Sequence, residues 1–159
     1  MFKKLVFVFL VILLTFLWFK SQTKASAKES KIDAIVNFAN SYNGIAYRAG
    51  GTTKKGMDCS GLVYTSFKNY GIQLPRSSAA MSTKGKKVAI KSVTKGDLLF
   101  FNIARLKGAI NHVGLVTSIE EDNVIFIHAT TSKGVIYSSL DEQYWRSTFV
   151  TAKRIIVAE

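Results

Sequence analysis

The chain has one cysteine, one proline and two histidines in 159 residues, and its 10 acidic side chains face 22 basic ones. A single cysteine excludes an internal disulfide and with it the small disulfide-stapled folds. It also excludes the paired close spacings of a structural zinc site. One proline, no long linker, no internal repeat and no low-complexity segment argue against a second domain. The lysines are scattered (Lys54, Lys55, Lys84, Lys86, Lys87, Lys91, Lys95) without interleaved aromatics, so no nucleic-acid module is legible.

The longest apolar run stands at the start. Met1-Phe2-Lys3-Lys4 is basic, Leu5 to Phe19 is apolar apart from Thr15, and Ala25-Ser26-Ala27 follows a polar stretch. This order reads as a secretory signal peptide over residues 1–27, cut after Ala27. A retained anchor helix is the alternative, but an apolar run of about 15 residues is short for a span that needs about 20. No membrane span is then expected in the mature chain, and no cysteine near the cut offers a site for lipid attachment. The remaining residues, 28–159, suit one domain. Removing Lys3, Lys4, Lys20 and Lys24 from the net charge of +12 leaves about +8. A basic exported domain is drawn to anionic wall or membrane surfaces; solubility alone explains the charge nearly as well. An unpaired thiol in an exported chain suggests a reactive group or an intermolecular bridge.

That thiol lies in Gly56-Met57-Asp58-Cys59-Ser60-Gly61-Leu62-Val63. Asp58 is a good helix N-cap, the apolar positions Leu62, Val63, Phe67 and Tyr70 follow at helical spacing, and Gly71 is the natural stop. Cys59 therefore falls on a first helical turn, where free N–H groups and the helix dipole are expected to lower its pKa. Alone this is weak, since most single cysteines are small buried hydrophobes.

Upstream, Ser30 is expected to cap a helix from Lys31 to Tyr42 that Gly44 ends. A glycine-rich loop then carries Tyr47-Arg48-Ala49-Gly50-Gly51 and can bring Tyr47 beside Cys59. Downstream, Leu74-Pro75-Arg76 breaks the chain, Ser77 or Ser78 caps a short helix through Met81, and 83–95 reads as an exposed connection. From Gly96 the pattern turns to strands: 97–101, 112–119, 124–128, 134–138 and 149–157, with a helical turn at 141–146. Helices first and a meander of strands second indicate α+β.

His112 opens one strand of a hairpin and His128 ends the other, so the two can meet at one rim of the sheet. With Cys59 packed across that rim they form a nucleophile, a base and a third group that orients the base. His112 would take the thiol proton, His128 would fix the tautomer of His112, and the Cys59 N–H could serve as oxyanion donor. A zinc site of one cysteine and two histidines is the weaker alternative, because Asp58 as a fourth ligand would waste a good cap.

Asp58-Cys59-Ser60-Gly61, His112-Val113-Gly114 and His128-Ala129 together resemble the NlpC family of papain-like cell-wall cysteine peptidases. The flanks Tyr47-Arg48-Ala49-Gly50-Gly51, Leu74-Pro75-Arg76-Ser77-Ser78, Gly96-Asp97-Leu98-Leu99-Phe100-Phe101 and His128–Val135 look like its Spr-type murein endopeptidases. The resemblance implies a papain-like fold, N-terminal helices packed on a C-terminal antiparallel sheet. It implies Cys59 as nucleophile, His112 as base and His128 as the orienting residue. Tyr47 would lie beside the nucleophile, and Asp58, Ser60 and Ser78 would help hold the peptide. The implied partner is peptidoglycan, through its stem peptides or cross-links; neither metal nor cofactor is implied. The chain is expected to act as a monomer in the periplasm or cell wall. A non-catalytic wall binder, and an amidase, acyltransferase or toxin on the same fold, stand as alternatives. The 120–123 turn and the basic 102–111 loop (Arg105, Lys107) depart from the family pattern at the rim of the cleft.

Overall fold

A computed structural model describes residues 2–157. The first helix, α1, runs unbroken over Phe2–Asn40. It begins far upstream of Ser30, which lies inside it rather than capping it. The reason is local: residues 20–30 hold no glycine or proline, and alanine, lysine and glutamate propagate a helix. Gly44, at φ 83°, turns the chain after the helix as expected. Among the described residues no helix is long and apolar enough to cross a membrane.

A small hairpin follows, β1 (Thr52–Thr53) with β2 (Gly56–Met57), in what reads from sequence as a plain glycine-rich loop. Helix α2 spans Cys59–Lys68 and the single-turn α3 spans Ser78–Met81, with Ser77 as its cap. Strands β3 (Lys86–Val88), β4 (Leu98–Phe101), β5 (His112–Glu120), β6 (Asn123–Thr130), β7 (Gly134–Ser139) and β8 (Phe149–Arg154) build one antiparallel sheet in the order β3-β8-β4-β5-β6-β7. Helix α4 (Gln143–Thr148) crosses before β8. The architecture is α+β, as the sequence pattern indicates. The 83–95 connection is not plainly exposed: Lys86 and Lys87 pair with Arg154 and Lys153 as an edge strand, and Val88 and Val93 are buried.

Strand alternation sorts the sheet's side chains into two cores. On one face Leu98, Phe100, Val113, Leu115, Ile127 and Ala129 pack against Ile35, Val36 and Ala39 of α1 and Leu62, Val63 and Phe67 of α2. On the other, Leu99, Phe101, Val116, Phe126 and Ala152 pack with Trp145 of α4. The β7 edge is partly covered: the Gly44 N–H donates to the Val135 carbonyl at 2.8 Å, and the Val135 N–H to Ile45 at 2.8 Å. Near β8, Arg154 bonds both carboxylate oxygens of buried Asp97, at 2.8 and 2.7 Å, fixing the entry to β4.

Candidate active site

Asp58 organises the Cys59 end of α2. Its Oδ1 accepts from the Gly61 N–H at 2.6 Å, the expected cap, and its Oδ2 from the Gly50 N–H at 2.8 Å. Arg76 grips both oxygens, at 2.9 and 2.7 Å, and also donates to Ser60 Oγ at 2.8 Å and to the Gly51 carbonyl at 3.3 Å. These bonds tie the 47–51 loop, the first turn of α2 and the segment after Pro75 into one unit. Arg76 and the backbone donors hold the Asp58 carboxyl below its ordinary range, although burial works against them. Gly61 permits the fit: a Cβ there would meet the Gly51 carbonyl oxygen at 2.1 Å.

The two histidines rise from the face that carries Phe101, Phe126 and Trp145. His128 lies inside β6 rather than at its end, because the strand continues to Thr130. Extending the Leu115↔Ile127 register by one pair puts Gly114 opposite His128 and leaves His112 diagonal to it. The rings meet: His112 Nε2 stands 2.9 Å from His128 Nδ1, and His128 Nε2 stands 3.0 Å from Ser138 Oγ. Trp145 stacks on His112 (centroids 5.4 Å apart, 22° between planes) and sets its edge against His128 at 4.6 Å. A Cβ on Gly114 would lie 2.4 Å from the Phe126 ring, which packs 4.8 Å from His128. Glycine at 114 is thus what lets Phe126 support the histidine pair.

Cys59, half-buried, lines a cavity of about 500 Å³ with Tyr47, Arg105, His112, Lys133, Ser138 and Trp145 among its walls. The backbone N–H groups of Val113, Ser60 and Cys59 itself are near enough to favour the thiolate. The thiol therefore adjoins the His112–Val113 peptide. Since His112 Nε2 is taken by His128, Nδ1 is the nitrogen left for the cavity. Asp58, Ser60 and Ser78 are buried and do not line this cavity; Tyr47 does.

The electrostatics differ from the sequence expectation. Burial, reinforced by the Asp58 carboxylate, pushes the Cys59 thiol up despite the three N–H groups that favour thiolate. Burial, together with the charge of Arg105, lowers His112 to about 4. Burial and His112 lower His128 to about 2. Both shifts favour a neutral thiol and a neutral imidazole over an ion pair. Helix position alone favours thiolate; the closed packing that the histidine pair requires outweighs it. The Tyr47 phenol is raised, first by burial and then by Cys59 and Asp58, and so remains a proton donor. Among the described residues no group of three His, Cys, Asp or Glu side chains is arranged to hold a metal ion.

Three residues of this site carry no local sequence signal. Arg76 reaches Asp58 across 18 positions. Ser138 is one of many serines, and only the β6–β7 register sets it near His128. Trp145 sits on a helical turn that sequence alone presents as surface.

The cysteine, the paired histidines and the order in which the chain delivers them can be compared with known proteins. The model of the NlpC/P60 family matches residues 44–154. This chain belongs to the NlpC/P60 family. The match begins after α1 and takes in Tyr47, Cys59, His112, His128 and Ser138. One similar NlpC/P60 relative is the "Probable endopeptidase NlpC homolog" of Haemophilus influenzae, 39% identical over 143 residues, 89% of this chain and 73% of that protein. Another is the "Murein DD-endopeptidase MepS/Murein LD-carboxypeptidase" of Escherichia coli strain K12, 40% identical over 116 residues, 72% of this chain and 58% of that one. The matched part is thus little more than half of the Escherichia coli protein. Among solved structures, an NlpC/P60 family protein from Bacillus cereus superposes with a TM-score of 0.69 at 30% identity, over 78% of this chain and 40% of that one. A Staphylococcus aureus member, described as similar to lipoprotein, gives 0.70 at 27% identity over 81% and 42%.

Proposed function

We propose that this NlpC/P60 chain is an exported cysteine endopeptidase that hydrolyses peptide bonds in peptidoglycan stem peptides or cross-links. The observation that carries this reading is the 2.9 Å contact of His112 Nε2 with His128 Nδ1 beside a cavity shared with Cys59, which reserves His112 Nδ1 for the thiol. The names of the Haemophilus and Escherichia relatives support the reaction class.

In this mechanism His112 Nδ1 accepts the thiol proton as the sulfur attacks the scissile carbonyl carbon. Because burial favours the neutral form of both groups, proton transfer accompanies attack. The imidazolium so formed holds one N–H toward His128 and one toward the leaving amine. The Cys59 backbone N–H is the candidate oxyanion donor, and the Tyr47 phenol, which also lines the cavity, is a second. His112 then protonates the amine, which departs and leaves a thioester on Cys59. Water, deprotonated by His112, attacks the thioester carbonyl; the acid product leaves and the thiol is restored.

Residues 1–27 act in this reading as a signal peptide that exports the enzyme to the periplasm, the cell wall or the medium, and the enzyme acts there as a monomer. The test is mass spectrometry of purified peptidoglycan after incubation with the wild-type chain and with Cys59→Ser. Shortened stems, or lost cross-linked dimers, with the wild type alone support the reading and identify the bond. Identical products from both proteins would sink it.

A further inference from the structure

Beyond burial, Arg105 on the cavity wall works against the chemistry just proposed. Its positive charge lowers the basicity of His112, the group that must take a proton. A cation beside a buried base is a cost unless something neutralises it. Among the described residues neither the Arg105 nor the Lys133 side chain joins an ion pair or a hydrogen bond; the Lys133 N–H donates to Thr130 Oγ1 at 3.1 Å. Glu142, the only carboxylate on the cavity wall, accepts the Ser139 N–H at 2.9 Å.

The loop that carries Arg105 is tied down. Asn111, next to His112, accepts the Ile103 N–H at 2.8 Å through Oδ1, and its Nδ2 donates to the carbonyls of Ile103 and Gly108, both at 3.1 Å. Its own N–H donates to the Phe101 carbonyl at 3.1 Å. One side chain therefore couples the base of the Arg105 loop to the residue preceding the imidazole. Lys133, on the turn between β6 and β7, also lines the cavity.

We infer that Arg105, with Lys133 on the same cavity, forms a subsite for a free carboxylate of the substrate beside His112. The guanidinium is suited to a carboxylate, which it can bind through two parallel N–H donors. Binding would also cancel the charge that depresses His112, so the base gains basicity when a carboxylate-bearing peptide is seated. The subsite rests on the proposed peptidase reading only for its consequence in catalysis; ligand binding is separable.

The binding test uses the full chain carrying Cys59→Ala and follows the His112 ring by NMR across pH. The probes are N-acetyl-D-alanine and N-acetyl-D-alaninamide, which differ only in the carboxylate. The acid should raise the His112 titration by roughly one pH unit, and the amide should leave it in place. Adding Arg105→Gln should abolish the response to the acid. Equal response to acid and amide, no response to either at saturating probe, or an undiminished response in the Arg105→Gln chain would each overturn the subsite. In turnover, the otherwise wild-type Arg105→Gln chain should lose preference for peptides ending in a carboxylate over their amides, through KM above all. If no peptide is cleaved by any version, the peptidase reading fails while the NMR result still decides the subsite.

Discussion

His128 Nε2 and the hydroxyl of Ser138 lie 3.0 Å apart, both buried, at the far end of a line that starts at the His112 ring. For His112 to present a bare Nδ1 to the thiol, its Nε2 must carry hydrogen and donate to His128 Nδ1. His128 must then carry its own hydrogen on Nε2, and Ser138 must accept it. The opposite arrangement, with the serine donating, puts hydrogen on His112 Nδ1 and blocks proton uptake. Ser138 is a positioning residue for this line. Ser138→Ala should reduce kcat roughly tenfold, about the worth of one hydrogen bond, with KM little changed. Ser138→Thr should restore much of the loss, and nitrogen shifts of His112 should report a mixed tautomer in the alanine variant. An unchanged kcat with unchanged shifts would remove Ser138 from the line.

Acid should destabilise the fold well before the carboxylates titrate. His112 and His128 titrate at about 4 and about 2 in the folded chain, against 6.5 when unperturbed. The unfolded chain therefore binds more protons below pH 6.5, and stability falls as pH drops from there through the folded values. By pH 5 the loss is about 2 kcal/mol for each histidine. Asp58, held low in the fold, adds a further loss once pH falls through its ordinary value of 3.8. Thermal unfolding at pH 7.5 and 5.0 checks this, and His128→Gln should flatten the difference.

Arg76 supports the site without lining its cavity. Arg76→Ala leaves a nearly buried Asp58 carboxylate with only its neighbouring donors, a change worth roughly 3 kcal/mol in stability. Arg76→Lys should recover little, because lysine cannot hold both oxygens and Ser60 together. Chemical denaturation of the three proteins gives the comparison.

Gly114→Ala should cost about 1–3 kcal/mol, since its Cβ would enter the Phe126 ring. Activity should fall further than stability implies, because Phe126 packs against His128. Gly50→Ala is an informative contrast: the space there is open, and only the positive φ of 73° opposes the change.

Much of this arrangement is legible in the chain. The Asp58 cap, the α2 helix, the strands that carry His112 and His128 and their shared rim follow from spacing and alternation. The rest depends on contacts between distant segments. The β3 edge strand is three residues long and two of them are lysines, so its pairing with β8 leaves no apolar alternation to read. The Asp58–Arg76 pair turns on how the chain folds back after Pro75. The state of the thiol is the clearest case: position on a first turn favours the anion, and burial among elements 50 residues apart in sequence reverses the balance.

The contact of Gly44 and Ile45 with Val135 bears on how the protein avoids pairing with its own copies. A six-stranded sheet offers two open margins onto which another chain could add by backbone pairing. One margin here is occupied near Val135 by the protein's own connecting segment, and the other is short and presents Lys86 and Lys87. Both devices operate through the folded chain alone. The chain can therefore resist strand-to-strand aggregation by its own covering and charge.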